Sequence, residues 1–535
     1  MKKAALLCAI LNLAFAIVLV QLAVTPNVTA QPLLISITAE GNVEGTSSIQ
    51  RNGNVYTLTS NLEQGSIVIE ASDIVIDGAG FTLGEIYQVN GDNVEIKNFK
   101  INAEVNAIEV YGSGCRILDN EIQAKYKGIR IRGSDGHVIS GNKINTEVGE
   151  GIEFGSSSNN EITENMVNSK KFEGVSLSHS DHNVFSRNNL GYVDLYHSSH
   201  NIFEENNLPQ GIDIRSSSNY NQIISNSITD FNKLTDPYFG SSGSIALFNC
   251  EGNAISSNTI INSGGIFLDT SSNNVLRNNR VESVGIGFEV NYRSSLSSFI
   301  NDVDASNTIN SKKIYYLINK TDLTVNPLTY PNAGYLALIN CKRIIIENLT
   351  MNTQGILLAF TTDSQIKNND VSNNYGHGVT LTSASNNKIT NNNINSNSEE
   401  GIVFFSSNQN NVSGNWITRN RGGFPSSTHQ TTPSPKTASQ TKTKACISLH
   451  HQATSSITTT FSIIVSRFTM FPGMATRIIQ EHLRPLKTLG TMAFQSEATI
   501  GVITRVSIQK LKRLPVQVYG IHRTLLMKTT KTVIH

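Results

Sequence analysis

The chain has 535 residues, of which 16% are charged, and its formal net charge is only +1. That value hides two oppositely charged parts, because residues 424–535 carry 14 Lys and Arg against 2 Asp and Glu, which leaves 28 against 39 in residues 1–423. The five cysteines lie far apart, and their spacing excludes both a disulfide framework and a CxxC metal site.

Residues 1–30 are typical of an export signal. Lys2 and Lys3 precede an apolar run from Ala4 to Val24, and a small-residue cleavage site follows it and ends at Ala30. Because the run is long for a signal peptide, an uncleaved N-terminal membrane anchor is the alternative. We therefore expect a protein that is secreted, periplasmic or held at the cell surface.

Residues 31–83 alternate like strands but follow no regular repeat. Two apolar runs, Ile67–Ile69 and Ile74–Ile76, lead into an Asp-Gly-Ala-Gly turn at Asp77–Gly80. Terminal repeats of a solenoid are usually atypical, so we interpret this stretch as the N-terminal cap and first coils.

A repeat of about 20 residues fills most of the remaining chain up to residue 423. In its cleanest copies Gly378 and Gly401 are 23 residues apart, as are Asn392 and Asn415. Apolar residues alternate within each copy, which is the strand period, and a copy is too small to bury its own apolar side. The repeat therefore predicts stacked coils of short strands.

An Asn residue stands two places before an apolar residue in most copies, where it suits a tight left-handed bend. Stacked in register, such residues form a side-chain ladder along the axis. These positions are Asn120, Asn142, Asn165, Asn188, Asn206, Asn226, Asn258, Asn279, Asn369, Asn392 and Asn415. The fold class predicted is all-β, a parallel β-helix of roughly 14 coils, and the usual crossover hand makes it right-handed.

Four of the 12 histidines fall in two adjacent coils of the segment 84–288. His179 and His182 belong to one H-x-x-H-N pattern, and His197 and His200 belong to the next, 18 residues later. We expect His179 to stack over His197 and His182 over His200. Imidazole suits copper and zinc, so a metal site is one interpretation. The other is a polar turn in which His replaces the Ser and Asn of other coils.

Two carboxylates align in the same segment. Asp194 and Asp213 fall at one outward position of neighbouring coils, where like charges are unfavourable unless a partner such as Arg215, a cation or a catalytic role explains them. Two carboxyl groups about 5–5.5 Å apart suit a retaining glycosidase. A solvated acidic face is the alternative.

Residues 289–333 interrupt the repeat before the coils resume over 334–423. The run Ile314–Ile318 predicts a strand, in a strand pair or loop packed on the side of the helix.

The pattern over roughly residues 45–420 resembles the NosD-like family of right-handed β-helix proteins. The residues that carry the resemblance are the Asp77–Gly80 turn, the Gly-x-apolar and Asn-Asn-x-Ile coil signatures, and Ile314–Ile318. This family is also described as periplasmic copper-binding proteins, so the resemblance implies copper as the metal to expect.

Residues 424–535 contain no Asn, no Asp and no Trp, unlike the repeats before them. A basic Thr- and Ser-rich tail is one interpretation, and a frameshift is our hypothesis. In a shifted frame, synonymous codons let Gln430–Gln440 encode NNTITENSIT, Glu497–Thr504 encode GNYWSDY and Tyr519–Met527 encode WDTPYVID. The first resembles a coil, and the other two resemble the closing signature of NosD-like proteins.

We interpret the chain as an exported, monomeric surface protein that binds a metal such as copper, or an extracellular glycan. The alternative is a polysaccharide lyase or glycoside hydrolase that acts on extracellular glycans. Nothing in the sequence carries a phosphate loop, a nucleophile elbow or a nucleic-acid-binding fold, so we expect no nucleic-acid partner.

Overall fold

The computed structural model describes residues 33–229, 244–262, 264–283, 285–291 and 295–421, and the backbone of three short strands, Ile447–His450, Thr460–Ser462 and Val506–Ser507. The export signal lies outside these residues, as does nearly all of the tail, so both hypotheses stay predictions. Within the described ranges the only helix is a short 3-10 turn, Leu296–Phe299. No helix in this part of the chain is long and apolar enough to cross a membrane.

The described chain is an all-β solenoid of about 16 parallel turns, against the roughly 14 predicted. Most turns contribute three short strands, one to each of three faces, and each strand pairs with its equivalents in the neighbouring turns. Alternate side chains point inward, as in Ile129–Arg132, where Ile129 and Ile131 are fully buried. The stacked turns bury two apolar cores, one upstream and one downstream, that no single repeat could close alone.

The described residues between 33 and 309 form the upstream solenoid, whose strands lie on three faces. The first face contains Leu33–Ile37, Leu62–Ile69, Thr82–Val89, Ile108–Val110, Ile129–Arg132, Ile152–Gly155, Val175–Ser178, Val193–Tyr196, Ile212–Arg215, Ile245–Phe248, Ile266–Asp269 and Phe288–Val290. The second face contains Ile49–Asn52, Val55–Leu58, Val75–Asp77, Glu95–Lys97, Arg116–Leu118, Val138–Ser140, Glu161–Thr163, Val184–Ser186, Ile202–Glu204, Gln222–Ile224, Ala254–Ser256, Val275–Arg277 and Asp302–Val303. The third face contains Lys100–Ala103, Glu121–Ala124, Lys143–Thr146, Met166–Ser169, Asn189–Leu190, Ser227–Thr229, Thr259–Ile261, Arg280–Glu282 and Thr308–Ile309.

The N-terminal end of the upstream solenoid departs from the parallel pattern. Leu33–Ile37 pairs antiparallel with Val43–Glu44, and Ile49–Asn52 pairs antiparallel with Val55–Leu58. These hairpins occupy the stretch interpreted as the cap.

Residues 312–421 form the downstream solenoid, which is built in the same way. Its first face contains Lys312–Ile318, Ala333–Ile339, Ile356–Ala359, Val379–Thr382 and Ile402–Phe405. Its second face contains Thr324–Val325, Ile345–Glu347, Gln365–Lys367, Lys388–Thr390 and Asn411–Ser413. Its third face contains Thr350–Met351, Asp370–Val371, Asn393–Asn395 and Trp416–Thr418.

The two solenoids meet at a reversal of strand direction. Thr308–Ile309 continues the parallel third face, but Lys312–Ile318 pairs with it antiparallel and then parallel with Ala333–Ile339. Along Lys312–Ile318, Ile314 and Tyr316 join the upstream core whereas Tyr315 joins the downstream core. The strand predicted at Ile314–Ile318 is therefore a wall shared by two cores, and does not pack on the side of one.

Candidate functional site

The two histidine turns lie in register at the edge between the first and second faces. The strand register pairs Ser178 with Tyr196, which places each residue of the first turn one coil from its counterpart in the second. All four histidines adopt left-handed backbone, with φ between 48° and 59°. His tolerates this region better than most residues, so these positions are bends in the chain.

Stacking of the four imidazoles follows the predicted pairs. The rings of His179 and His197 are 5.1 Å apart, and those of His182 and His200 are 4.9 Å apart and tilted by only 3°. All four side chains are exposed. Tyr220 continues the second stack at 5.3 Å from His200, so three rings from three successive turns form one column.

Buried polar residues hold these turns rigidly beneath the exposed rings. The Oγ atom of Ser198 accepts the backbone N–H of Ser180 at 3.1 Å, and the Oδ1 atom of Asn201 accepts from Asn183. Asp181 accepts the backbone N–H of Ser199 at 2.6 Å, which ties it to the next turn and not to a histidine ring.

The imidazoles do not form a ready-made coordination sphere. Among the described residues, no group of three or more His, Cys, Asp or Glu side chains is placed to hold a metal ion. Face-to-face rings present their nitrogens side by side, so a metal would require at least one ring to rotate out of its stack. The donor chemistry fits copper or zinc, and exposed side chains are free to make that rotation.

Asp194 and Asp213 are register partners on the first face, as expected from the coil alignment. Arg215 forms ion pairs with both carboxylates, at 3.1 Å from Nε to Asp194 Oδ1 and through Nη2 to Asp213. The guanidinium also donates to the Tyr192 hydroxyl at 2.8 Å. Asp213 is only 1% exposed, so Arg215 supplies the partner that two adjacent carboxylates need.

Burial and charge within this cluster shift the pKa values of both Tyr192 and Arg215. Burial raises the pKa of Tyr192, and the nearby Asp213 and Asp194 carboxylates raise it further. The pKa of Arg215 is also raised, because its carboxylate partners outweigh the effect of burial. Among the tyrosines near this cluster, Tyr192 is buried within it, whereas Tyr196 and Tyr220 are exposed beside the histidines.

A second charged cluster occupies the same face, two turns upstream of Asp194. Glu153 interacts with Lys127 at 2.6 Å, with Arg130 at 2.9 Å and more loosely with Arg132 at 3.7 Å. Burial raises the pKa of the neighbouring Glu173. The coil alignment places Glu153 on the row of Asp194 and Asp213, but it does not reveal the three cations around Glu153. Alternation along Ile129–Arg132 would have indicated two of them, because Arg130 and Arg132 point outward.

A third cluster lies where the downstream solenoid packs against the last upstream strand. His377 lies 3.1 Å from Glu399 through Nε2 and 3.0 Å from Glu400 through Nδ1. Burial raises the pKa of nearby Glu289 to about 7, and the Glu399 carboxylate contributes. We did not predict this cluster, although His377 and Glu400 stand one 23-residue period apart.

Comparison with known families gives two matches that together span most of the described chain. The model described as "Periplasmic copper-binding protein (NosD)" matches residues 40–195, and the model "Right handed beta helix region" matches residues 191–326 and 306–436. The first match includes His179 and His182 and ends before His197. No curated protein matches.

Several solved β-helix structures resemble the fold at low identity. A DFA-IIIase from Arthrobacter chlorophenolicus A6 in complex with GF2 is 15% identical, with 48% of this chain and 70% of that chain covered and a TM-score of 0.29. The periplasmic alginate epimerase AlgG is 12% identical, with 69% and 79% covered and a TM-score of 0.25. The PL6 family alginate lyase AlyGC is 12% identical, with 67% and 75% covered and a TM-score of 0.32.

These structural similarities are too weak to carry an argument about activity. The family matches agree with the solenoid and its coil repeats, and the right-handed region that one of them describes agrees with the hand predicted from the sequence. The chain is a NosD-like right-handed parallel β-helix repeat protein.

Proposed function

We propose that this chain is an exported surface protein that binds copper through the imidazoles of its two histidine turns. The proposal is supported by the register of these turns, which brings four exposed histidines together as two stacked pairs. The ring centroids are 5.1 Å apart in one pair and 4.9 Å apart in the other. The match to a family described as periplasmic and copper-binding supports both the location and the metal.

Copper is a better candidate than zinc for a site of this composition. Divalent copper binds nitrogen ligands more tightly than the other first-row divalent metals, and it accepts the planar arrangements that neighbouring imidazoles can offer. The ligands come from two coils, for example His179 and His197, so the metal would bridge two turns. Because only neutral imidazole binds metal, we expect affinity to weaken on acidification.

Copper titration of the full-length chain, followed by calorimetry and by electron paramagnetic resonance, tests the proposal. We expect one site of micromolar or tighter affinity, with nitrogen hyperfine structure, that disappears in the double variant His179→Ala with His197→Ala. A matched control is His450→Ala with His451→Ala, which removes the histidine pair at 450–451. Unchanged binding in the first variant, or no site in the native chain, would refute the proposal.

Carbohydrate binding is a second candidate function, and a different observation favours it. Tyr196 and Tyr220 are 44% and 51% exposed beside the histidine turns, where they lie against His197 and His200. Exposed aromatic rings beside polar groups are a common feature of ligand sites.

Glycan cleavage by Asp194 and Asp213 is less well supported than binding. A retaining glycosidase needs one free carboxylate as nucleophile and one protonated carboxyl as acid. In this cluster both carboxylates interact with Arg215, and Asp213 is almost inaccessible. An assay for reducing ends and unsaturated products on acidic and neutral polysaccharides tests cleavage. Activity that vanishes in Asp194→Asn with Asp213→Asn would restore the enzymatic interpretation.

A further inference from the structure

A shallow notch crosses the first face of the upstream solenoid above the strand Val175–Ser178. Its floor consists of Gly155, Ser176 and Ser178, whose side chains are the smallest of this part of the face. The register places Gly155 directly beside Ser178, so the floor is two turns wide at this end. Larger outward side chains stand on the turns to either side.

Two parallel rows of residues define the walls of the notch. Arg132, Gly155, Ser178 and Tyr196 follow one another in register, so the first and last stand three strand spacings apart, about 14 Å. The Arg132 side chain is 46% exposed and Tyr196 is 44% exposed. Both walls therefore rise from the sheet into solvent.

The second row crosses the middle of the notch. Glu153, Ser176 and Asp194 are register partners, and Ser176 separates two carboxylates that stand two strand spacings apart, about 10 Å. Each carboxylate interacts with an arginine at its own wall, Asp194 with Arg215 and Glu153 with Arg132. Both walls thus present hydrogen-bond donors and acceptors next to a hydroxyl-bearing floor.

Gly155 keeps the notch open, although the fold does not require glycine there. A Cβ atom added to Gly155 would meet nothing closer than 3.9 Å, where it would touch Arg132 Cγ. The residue lies in a regular strand, Ile152–Gly155, and not at a left-handed bend. A side chain could stand at this position without strain, and it would fill the notch.

The charges around the notch disfavour an anionic ligand. Four cations and six carboxylates line this part of the face, namely Lys127, Arg130, Arg132, Arg215, Glu109, Glu150, Glu153, Glu173, Asp194 and Asp213. The cations are paired with carboxylates, so an acidic sugar would have to displace an existing partner. Uncharged hydroxyl groups can instead share donors and acceptors that are already in place.

We infer that this notch binds an uncharged oligosaccharide that lies across the solenoid axis above Val175–Ser178. Tyr196 stacks on the apolar face of one sugar ring, and Arg132 and Glu153 bind hydroxyl groups from the opposite wall. The inference rests on the second function proposed above, carbohydrate binding; copper takes no part in the recognition, although the Tyr196 ring lies 4.3 Å from that of His197.

The notch binds its ligand without cleaving it. Glu153 and Asp194 each form an ion pair with an arginine, which occupies oxygens that a general acid would have to turn toward the ligand. An inverting glycosidase would need one of two such carboxyls to be protonated as the general acid. A bound oligosaccharide therefore leaves the notch intact.

Calorimetric titration of the full chain with cellohexaose, maltohexaose and an oligogalacturonate tests the inference. We expect a neutral oligosaccharide to bind and to be recovered unchanged. Gly155→Phe, which fills the notch, and Tyr196→Ala, which removes a wall, should each weaken binding about tenfold or more. Ser256→Phe adds the same bulk on the second face and should have no effect, and Gly155→Phe should retain copper binding.

The possible outcomes distinguish failure of the proposed notch from failure of carbohydrate binding as a function. Binding that survives Gly155→Phe would overturn the notch and leave carbohydrate binding in place. Absence of binding to all three probes would overturn both. Preference for the oligogalacturonate would overturn the claim that the ligand is uncharged. Appearance of shorter products would overturn the claim that the notch binds without cleaving.

Discussion

Asn392 and Asn415 lie one turn apart in the downstream solenoid, and two donors of Asn392 share a single acceptor on Asn415. The Oδ1 atom of Asn415 accepts the backbone N–H of Asn392 at 2.8 Å and its Nδ2 at 2.9 Å. Nδ2 of Asn392 also donates to the carbonyl of Ile366 at 2.8 Å. Each such side chain satisfies buried backbone groups of two turns, which is why Asn recurs at this bend.

The ladder predicts a large and local effect of removing one rung. Asn165 accepts from the N–H and Nδ2 of Asn142, both at 3.0 Å, and donates to the Ile139 carbonyl at 2.8 Å. Asn165→Ala leaves these groups buried without partners, so we expect a loss of about 2–4 kcal/mol in the free energy of unfolding. Urea unfolding measures it, with the exposed neighbour Asn168→Ala as control; equal losses in both variants would contradict the ladder.

Arg215 should stabilise the fold because it neutralises two carboxylates. Arg215→Met leaves Asp213 buried and Asp194 beside it without their cation, and breaking such a buried pair costs about 3–5 kcal/mol. Adding Asp213→Asn to this variant removes the stranded charge and should recover part of the loss. Thermal unfolding of the single and double variants measures the coupling, and losses that simply add would exclude it.

The solenoid could be predicted from the sequence because every turn must place apolar residues inward at the same positions. The apolar residues of the copy that begins at Gly378 are fully buried, because period two forces alternate residues inward; they are Val379, Leu381, Ile389 and Ile394. The junction escaped prediction, because a reversal of strand direction at Ile309 leaves no mark on the alternation itself.

The candidate sites show the same limit at the level of side chains. Register follows from the repeat, so the stacking of His179 on His197 and the pairing of Asp194 with Asp213 were predictable. The rotamers that face imidazoles side by side, and the burial of Asp213, depend on neighbours from other turns. Spacing in the sequence carries no information about these contacts.

Burial of the core thiols predicts that they are unreactive in the folded protein. Burial raises the pKa of Cys115 to about 11 and that of Cys250 to about 11. Only the thiolate reacts readily, so alkylation with iodoacetamide at pH 8 should spare both residues in the native chain and label both in urea. Peptide mass spectrometry distinguishes the two states, and rapid native labelling of Cys115 would show that the upstream core opens.

Glu289 makes the junction between the solenoids sensitive to pH. The last strand of the upstream first face, Phe288–Val290, contacts the downstream solenoid here. The Gln354 side chain accepts hydrogen bonds from the backbone N–H groups of Gly287 and Phe288 at 2.9 and 3.0 Å. Burial, with the Glu399 carboxylate second, raises the pKa of Glu289 from 4.5 to about 7.

Other charges around Glu289 act in both directions. His377, which interacts with Glu399 and Glu400, lowers the pKa of Glu289, whereas Asp269 raises it. The net effect is a carboxyl that the folded chain prefers to keep protonated. Deprotonation therefore leaves a charge in a poorly solvated place beside other carboxylates.

The sign of the pH dependence follows from the raised pKa of Glu289. The folded state binds this proton more tightly than the unfolded state, so its stabilising contribution is fully present below pH 4.5 and is lost as pH rises through about 7. The contribution is about 3 kcal/mol at most.

We expect Glu289→Gln, which is neutral at every pH, to flatten the decline in the urea midpoint between pH 4.5 and 8. Glu161→Gln, an exposed strand residue on the second face, should leave that decline unchanged. An equally steep decline in Glu289→Gln would place the titrating group elsewhere, because only the Glu289 carboxyl has been removed.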